Sequence, residues 1–126
     1  MNQVAVMLLW ALAPAAWAQP ATQTIGGDVK RGQLLFLQCA ACHSPTANPQ
    51  GKIGPALTGV LQRRAGTLDG FAYSKSMAAS GLAWDGATLD RFLGNPSATV
   101  PDTKMLFGGV PSARDRADVI AYLERL

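Results

Sequence analysis

The sequence predicts an all-α fold of three to five short helices joined by long loops. Three observations predict it. No stretch sustains the alternation of apolar and polar residues that a half-buried strand requires. Asp28 and Asp85 stand where helix N-caps belong, and Ser112 with Asp115 has the spacing of a capping box. Val119, Ile120, Leu123 and Leu126 then repeat at helical intervals.

Each element follows in order. Asp28 caps a helix through Gln38, with Val29, Leu35 and Phe36 as its apolar contacts. Cys39 to His43 continues as a helical turn. Ser44 to Gly54 is a loop carrying Pro45, Asn48, Pro49 and Gly51, and Gly54-Pro55 closes it. Gly59 to Tyr73 is irregular, with Gly66 and Gly70. A short helix covers Ser74 to Ala79 and stops at Gly81. Asp85 caps a helix from Gly86 to Leu93, which ends at Gly94-Asn95-Pro96. Thr99 to Gly109 is loop, and the helix capped by Ser112 completes the chain. Loops this long suit a chain wrapped around a large group better than a plain bundle, whose connections are shorter.

The chain of 126 residues is sized for one domain. Residues 1–18 carry no Asp, Glu, Lys or Arg, and Val4 to Leu12 is apolar. Ala16-Trp17-Ala18 before Gln19 is a small-x-small cleavage pattern, so 1–18 reads as a secretory signal peptide. The run from Val4 to Trp17 is short for a membrane anchor, which needs about 20 apolar residues. Residues 19–26 form a polar tail and 27–126 the folded domain. No stable membrane insertion is expected after cleavage, and the expected compartment is the periplasm. The net charge of +3 is small and scattered, without the basic runs and interleaved aromatics of a nucleic-acid binder.

Two Cys in an exported chain ordinarily suggest one disulfide. Here they stand in Cys39-Ala40-Ala41-Cys42-His43, a C-x-x-C-H sequence, the attachment signature of haem c. Positions i and i+3 of a helical turn face one side, so both thiols can reach the two vinyl groups of one haem edge. His43, one residue on, can reach the iron. A thioredoxin-like redox pair would need a strand-helix unit, which is missing. A zinc cage would need further Cys or His, and there are none. With no other His, a second axial ligand has to be Met77 or Met105 once the signal is removed. Met77 lies in a helical turn, where a Met is ordinarily core filler. Met105 lies in a Pro-started loop, which can place a side chain where a helix cannot, and is the preferred ligand. A thioether opposite His raises the reduction potential.

The chain resembles the class I c-type cytochromes, especially the soluble mitochondrial and purple-bacterial type. The likeness runs from Gly27 to the C-terminus. It rests on Gly27-Asp28-Val29, Gly32, Phe36, Cys39-x-x-Cys42-His43, Gly54-Pro55, Leu57, Arg63 and Gly66. It continues through Gly70-Phe71-x-Tyr73-Ser74, Gly81-Leu82-x-Trp84, Asn95-Pro96, Pro101-x-Thr103-Lys104-Met105-x-Phe107 and Ile120-Ala121-Tyr122-Leu123. The resemblance implies the class I cytochrome c fold around one covalently bound haem c, with His43 and Met105 as axial ligands. It implies that the Pro55 carbonyl accepts a hydrogen bond from the His43 ring. Arg63, Tyr73, Trp84 and Thr103 would bind or shield the haem propionates, and Gly32 and Phe36 would pack on Tyr122 and Leu123.

The chain also departs from that pattern. Asp102 stands where a Gly is common, and Asp tolerates unusual backbone angles better than most residues. Ala56 replaces a frequent Asn. Met77 and Phe92 occupy positions that often carry Asn and Tyr. Places where relatives often show Lys read Gln33, Ser97, Ala98, Pro111 and Ser112. The expected function is that of a monomeric monohaem electron carrier between redox protein partners, not an enzyme. Two rivals stand beside it: a haem subunit of a periplasmic dehydrogenase complex, and an open-iron haem enzyme or gas sensor.

Overall fold

The computed structural model describes residues 26–48 and 51–126. The expected signal peptide, 1–18, and all of the polar tail but Gly26 lie outside the described residues. Asp28 starts α1 (Val29–Leu35), its carboxylate accepting the Lys30 and Arg31 N–H groups. Such a cap is worth about 1 kcal/mol. Phe36 keeps right-handed helical angles between α1 and α2 (Leu37–Ala40), so the two form one bent helix. The helical turn runs on to His43, whose N–H donates to the Cys39 carbonyl at 2.9 Å.

After the irregular segment, Ser74 caps α3 (Lys75–Ala79) and Asp85 caps α4 (Gly86–Gly94). Asn95-Pro96 ends α4 as expected but also starts α5 (Pro96–Thr99), an added turn. The Asn95 side chain accepts the Ala98 N–H, and Pro at the first helical position needs no N–H partner. Ser112 caps α6 (Ala113–Leu123) by accepting the Asp115 N–H. The reciprocal half of the expected capping box is not made. Asp115 turns its carboxylate to the Arg31 guanidinium instead. With α1 and α2 counted as one element, the described residues hold five helices. Their only extended pairing is an isolated bridge, Arg64 with Ala83. No helix among them is long and apolar enough to cross a membrane.

The first and last helices cross tightly. A Cβ on Gly32 would lie 1.9 Å from the Asp118 carbonyl oxygen and 3.0 Å from the Tyr122 Cβ. Only glycine permits that approach. The Phe36 and Tyr122 rings meet at 5.1 Å between centroids. Asp118 is buried there, accepting the Asp28 N–H at 2.7 Å and an ion pair from Arg31. A second tie fixes the irregular segment. Gln62 N–H donates to the Trp84 carbonyl and Trp84 N–H to the Arg63 carbonyl, at 2.7 and 2.9 Å. Gln62 takes a left-handed φ of 70° to make this tie, which no feature of the sequence announced. Trp84, Leu89, Phe92 and Leu93 join Phe36, Val119 and Leu123 in one core.

Candidate functional site

That core is not closed on itself. It surrounds a cavity of about 370 Å³, within the range of cofactor and ligand pockets. All nine residues singled out from sequence line it: Cys39, Cys42, His43, Pro55, Arg63, Tyr73, Trp84, Thr103 and Met105. So do Met77 and Phe92, both buried.

His43 forms one wall. Its ring is buried, and Nδ1 lies 2.7 Å from the Pro55 carbonyl oxygen. A carbonyl only accepts, so Nδ1 carries the proton and Nε2 keeps its lone pair. Burial holds the imidazole below its ordinary pKa, partly offset by the bond to Pro55. The ring is therefore neutral at pH 7, the form that can bind a metal. Gly54 makes this geometry possible, since a Cβ there would stand 2.6 Å from the ring. Cys39 and Cys42 lie on the same wall and are not joined in a disulfide. Burial, with the neighbouring Cys42, pushes the Cys39 thiol up.

Met105 lines the same cavity from a loop rather than a helix. Asp102 turns that loop with a left-handed φ of 58°, the angle for which glycine is favoured and Asp tolerated. The Thr103 hydroxyl accepts the Met105 N–H at 3.3 Å. Lys104 reaches across to donate to the Ala72 carbonyl at 2.9 Å. Arg63 donates to the carbonyls of Ala56 and Thr58, at 2.9 and 3.2 Å. Tyr73 meets Phe71 edge-on, and Trp84 packs at a tilt against Phe92 with ring centroids 5.0 Å apart.

The contributions of five residues were not legible in the sequence. The ties of Lys104 and Lys52 to distant carbonyls leave no local signal. Ile53 and Leu106 line the cavity while remaining exposed, and neither stands out by spacing. Gly54 was visible only as part of a Gly-Pro pair.

The donor set fits a c-type haem. Two thiols and a neutral imidazole arise within one helical turn, a thioether lines the same cavity, and the rest of the lining is mostly apolar. The class this defines is a helical haem protein with the group held by its own chain. The family comparison agrees: residues 29–126 match the cytochrome c family model, and the chain belongs to that family. It is 47% identical over 115 residues to cytochrome c2 of Rhodomicrobium vannielii, covering 90% of each chain. It is 46% identical over 99 residues to cytochrome c2 of Rhodoblastus acidophilus, covering 79% of this chain and 92% of that one. Among solved structures it is similar to cytochrome cH from Methylobacterium extorquens, with a TM-score of 0.73 and 40% identity. That match covers 79% of this chain and all of the other. The protein carries one covalently attached haem c and is an electron carrier rather than an enzyme.

Proposed function

We propose that this chain carries single electrons between redox proteins in the periplasm, with His43 and Met105 as the two axial ligands. Haem supplies an iron that takes up and releases one electron. Cys39 and Cys42 hold its edge through thioethers. Pro55 fixes the His43 ring so that Nε2 stays available to the metal. Arg63, Tyr73, Trp84 and Thr103, all on the cavity lining, would bind or shield the haem propionates. Held by both His43 and Met105, the iron would offer no open position to oxygen or peroxide. The mature domain spans 27–126 after a signal peptide, 1–18, and a tail, 19–26.

The observation that carries this reading is the Nδ1 to Pro55 contact at 2.7 Å, on a side chain that shares one cavity with the Met105 thioether. Two measurements test it. Haem should stay on the chain after acid acetone, and a free haem refutes covalent attachment through Cys39 and Cys42. Met105→Ala should abolish the weak long-wavelength sulfur-to-iron absorption of the ferric protein and admit carbon monoxide to the ferrous one. Met77→Ala should keep the band, and the reverse pattern would exchange the two methionines. Cell fractionation and an N-terminus at Gln19 test the compartment and the cut.

A further inference from the structure

We infer that Asp69-Gly70 is a site of succinimide formation, at which the chain converts Asp69 to isoaspartate and thereby loosens the loop that carries Met105. The Gly70 amide nitrogen adds to the carboxyl carbon of the Asp69 side chain. An N–C bond forms, a C–OH bond breaks, and the amide proton leaves with the hydroxyl as water. Water then opens the ring at either carbonyl. Opening at the backbone carbonyl leaves the chain running through the side-chain carbon, which is isoaspartate. Opening at the other restores Asp69. No oxidant, reductant or cofactor takes part.

The described residues hold two Asp-Gly pairs, Asp69-Gly70 and Asp85-Gly86, alike in sequence. Glycine favours the ring because no Cβ obstructs the attacking nitrogen. The fold separates the two. Asp85 caps α4, and its carboxylate accepts the Thr88 N–H at 2.7 Å. Its carbonyl accepts the Leu89 N–H at 2.9 Å, so the Asp85-Gly86 peptide cannot rotate without breaking the first helical bond. Hydrogen bonds from Thr88 also hold the Asp85 carboxyl below the usual carboxylate range, in the ionised form that loses hydroxyl poorly. Asp69 and Gly70 are both exposed, at the centre of a turn from Leu68 to Phe71. Gly70 takes a φ of 77°, the positive angle that a type II turn requires at its third residue. One bond closes the turn, from the Phe71 N–H to the Leu68 carbonyl at 3.4 Å, longer than an ordinary N–H···O bond. Among the described residues nothing bonds to the Asp69 carboxylate, the Asp69 carbonyl or the Gly70 N–H. Carboxyl, peptide and nitrogen are thus all free to reach the ring geometry.

The consequence falls on the cavity. Isoaspartate lengthens the main chain by one methylene between Leu68 and Gly70. Phe71 and Tyr73, just beyond, line the cavity, and their rings meet at 4.7 Å between centroids. Between them the Ala72 carbonyl accepts the Lys104 ammonium at 2.9 Å, the tie that anchors the loop of Met105. A longer chain moves that carbonyl and leaves the clamp between α1 and α6 untouched. The loop opens while the rest of the fold stays.

The haem-loaded chain and an Asp69→Glu variant are aged in warm, mildly acidic buffer. Glutamate keeps the charge, but its ring would need a further carbon and closes far more slowly. Isoaspartate is read by an isoaspartyl methyltransferase with a labelled methyl donor, and cleavage after Lys75 puts the two Asp-Gly pairs on separate peptides. Label on the Asp69 peptide should exceed that on the Asp85 peptide at least about fivefold, the ratio that loss of a helix cap carries. In the denatured chain the two should label alike, and a ratio that persists on denaturation would take the difference away from the fold and overturn the inference. In the aged parent, amide exchange over residues 102–107 should quicken as label accumulates, with exchange at the α1–α6 crossing unchanged. The aged variant should show neither label at residue 69 nor faster exchange. Equal or greater label at Asp85 in the folded chain overturns the inference, and so does an unlabelled Asp69 under ageing that labels the denatured chain. Exchange over 102–107 that stays constant through full conversion overturns the loosening of the loop.

Discussion

The wall that carries His43 and the wall that carries Met105 are held by different means. His43 ends a bent helix whose first turns are clamped to the last helix through Gly32, Arg31 and Asp118. Its ring is then pinned between Gly54 and the Pro55 carbonyl. Met105 sits on a loop without helix or strand, fixed by single contacts at Thr103, Lys104 and, further on, Val110 to Leu93. One wall is over-determined by packing. The other depends on a few hydrogen bonds and is the place for motion, exchange and tuning.

Substitutions on the clamped side should therefore cost most. Gly32→Ala places a Cβ within 1.9 Å of the Asp118 carbonyl oxygen, and backbone cannot yield as a side chain tip can. A loss of about 3 kcal/mol is expected from overpacking against a rigid neighbour, read by denaturant unfolding of the haem-loaded protein. A loss below about 1 kcal/mol would show that the crossing is looser than its geometry.

Asp118→Asn probes the same crossing through pH. The Asp28 N–H, then the Arg31 guanidinium, hold the Asp118 carboxyl below the usual carboxylate range against the opposing effect of burial. The folded state thus binds that proton less tightly than the unfolded chain. Its stabilisation is complete above the unfolded value of about 3.9 and fades as pH falls through the lower folded value. The variant should be less stable at pH 7 and should show a shallower acid limb between about pH 5 and pH 2. Parallel acid limbs in parent and variant would remove Asp118 from the account.

On the Met105 side the effects should be smaller and local. Lys104→Ala removes the tie to Ala72. A loss of about 1 kcal/mol in loop closure should raise the rate at which ferric protein takes up external imidazole about fivefold. Global unfolding should barely move. Equal effects on both would mean that the loop and the core open together.

The smallest effect concerns Phe92, buried on the cavity wall with Met105. Phe92→Tyr offers a hydroxyl that can donate to the thioether sulfur and draw electron density from it. Sulfur then supports ferric iron less well, so the potential should rise. A neutral hydrogen bond is worth about 0.5–1.5 kcal/mol, and only the difference between oxidation states counts. The shift should be on the order of tens of millivolts at most, with stability measured alongside. An unchanged or lowered potential in a well-folded variant would show that residue 92 does not tune the sulfur.

The contrast between the walls also explains what the sequence disclosed. Asp28, Asp85 and Ser112 each cap the helix expected of them, because capping is decided within four residues. The C-x-x-C-H turn is legible for the same reason. Asn95-Pro96 was read as a stop alone, although those residue types also suit a start, and α5 follows from them. The half-made capping box escaped notice because Arg31, 84 positions away, takes the Asp115 carboxylate. Gln62 adopts its left-handed angle to serve a distant partner, Trp84. Long flexible lysines give no periodic signal of the carbonyl they reach. The loop that presents Met105 was visible as a loop, whereas the ties that hold it were not.

The helical turn from Cys39 to His43 has a consequence for the order in which the protein is made. Its two thiols and imidazole belong to five consecutive residues near the start of the folded region. The clamp that locks that region joins Asp28 to Asp118 across 90 positions. A chain emerging from its amino end displays the complete attachment turn while α6 has yet to be synthesised. The haem handle is a short linear tag, readable on an unfolded chain, and the last helix is the latch that arrives afterwards.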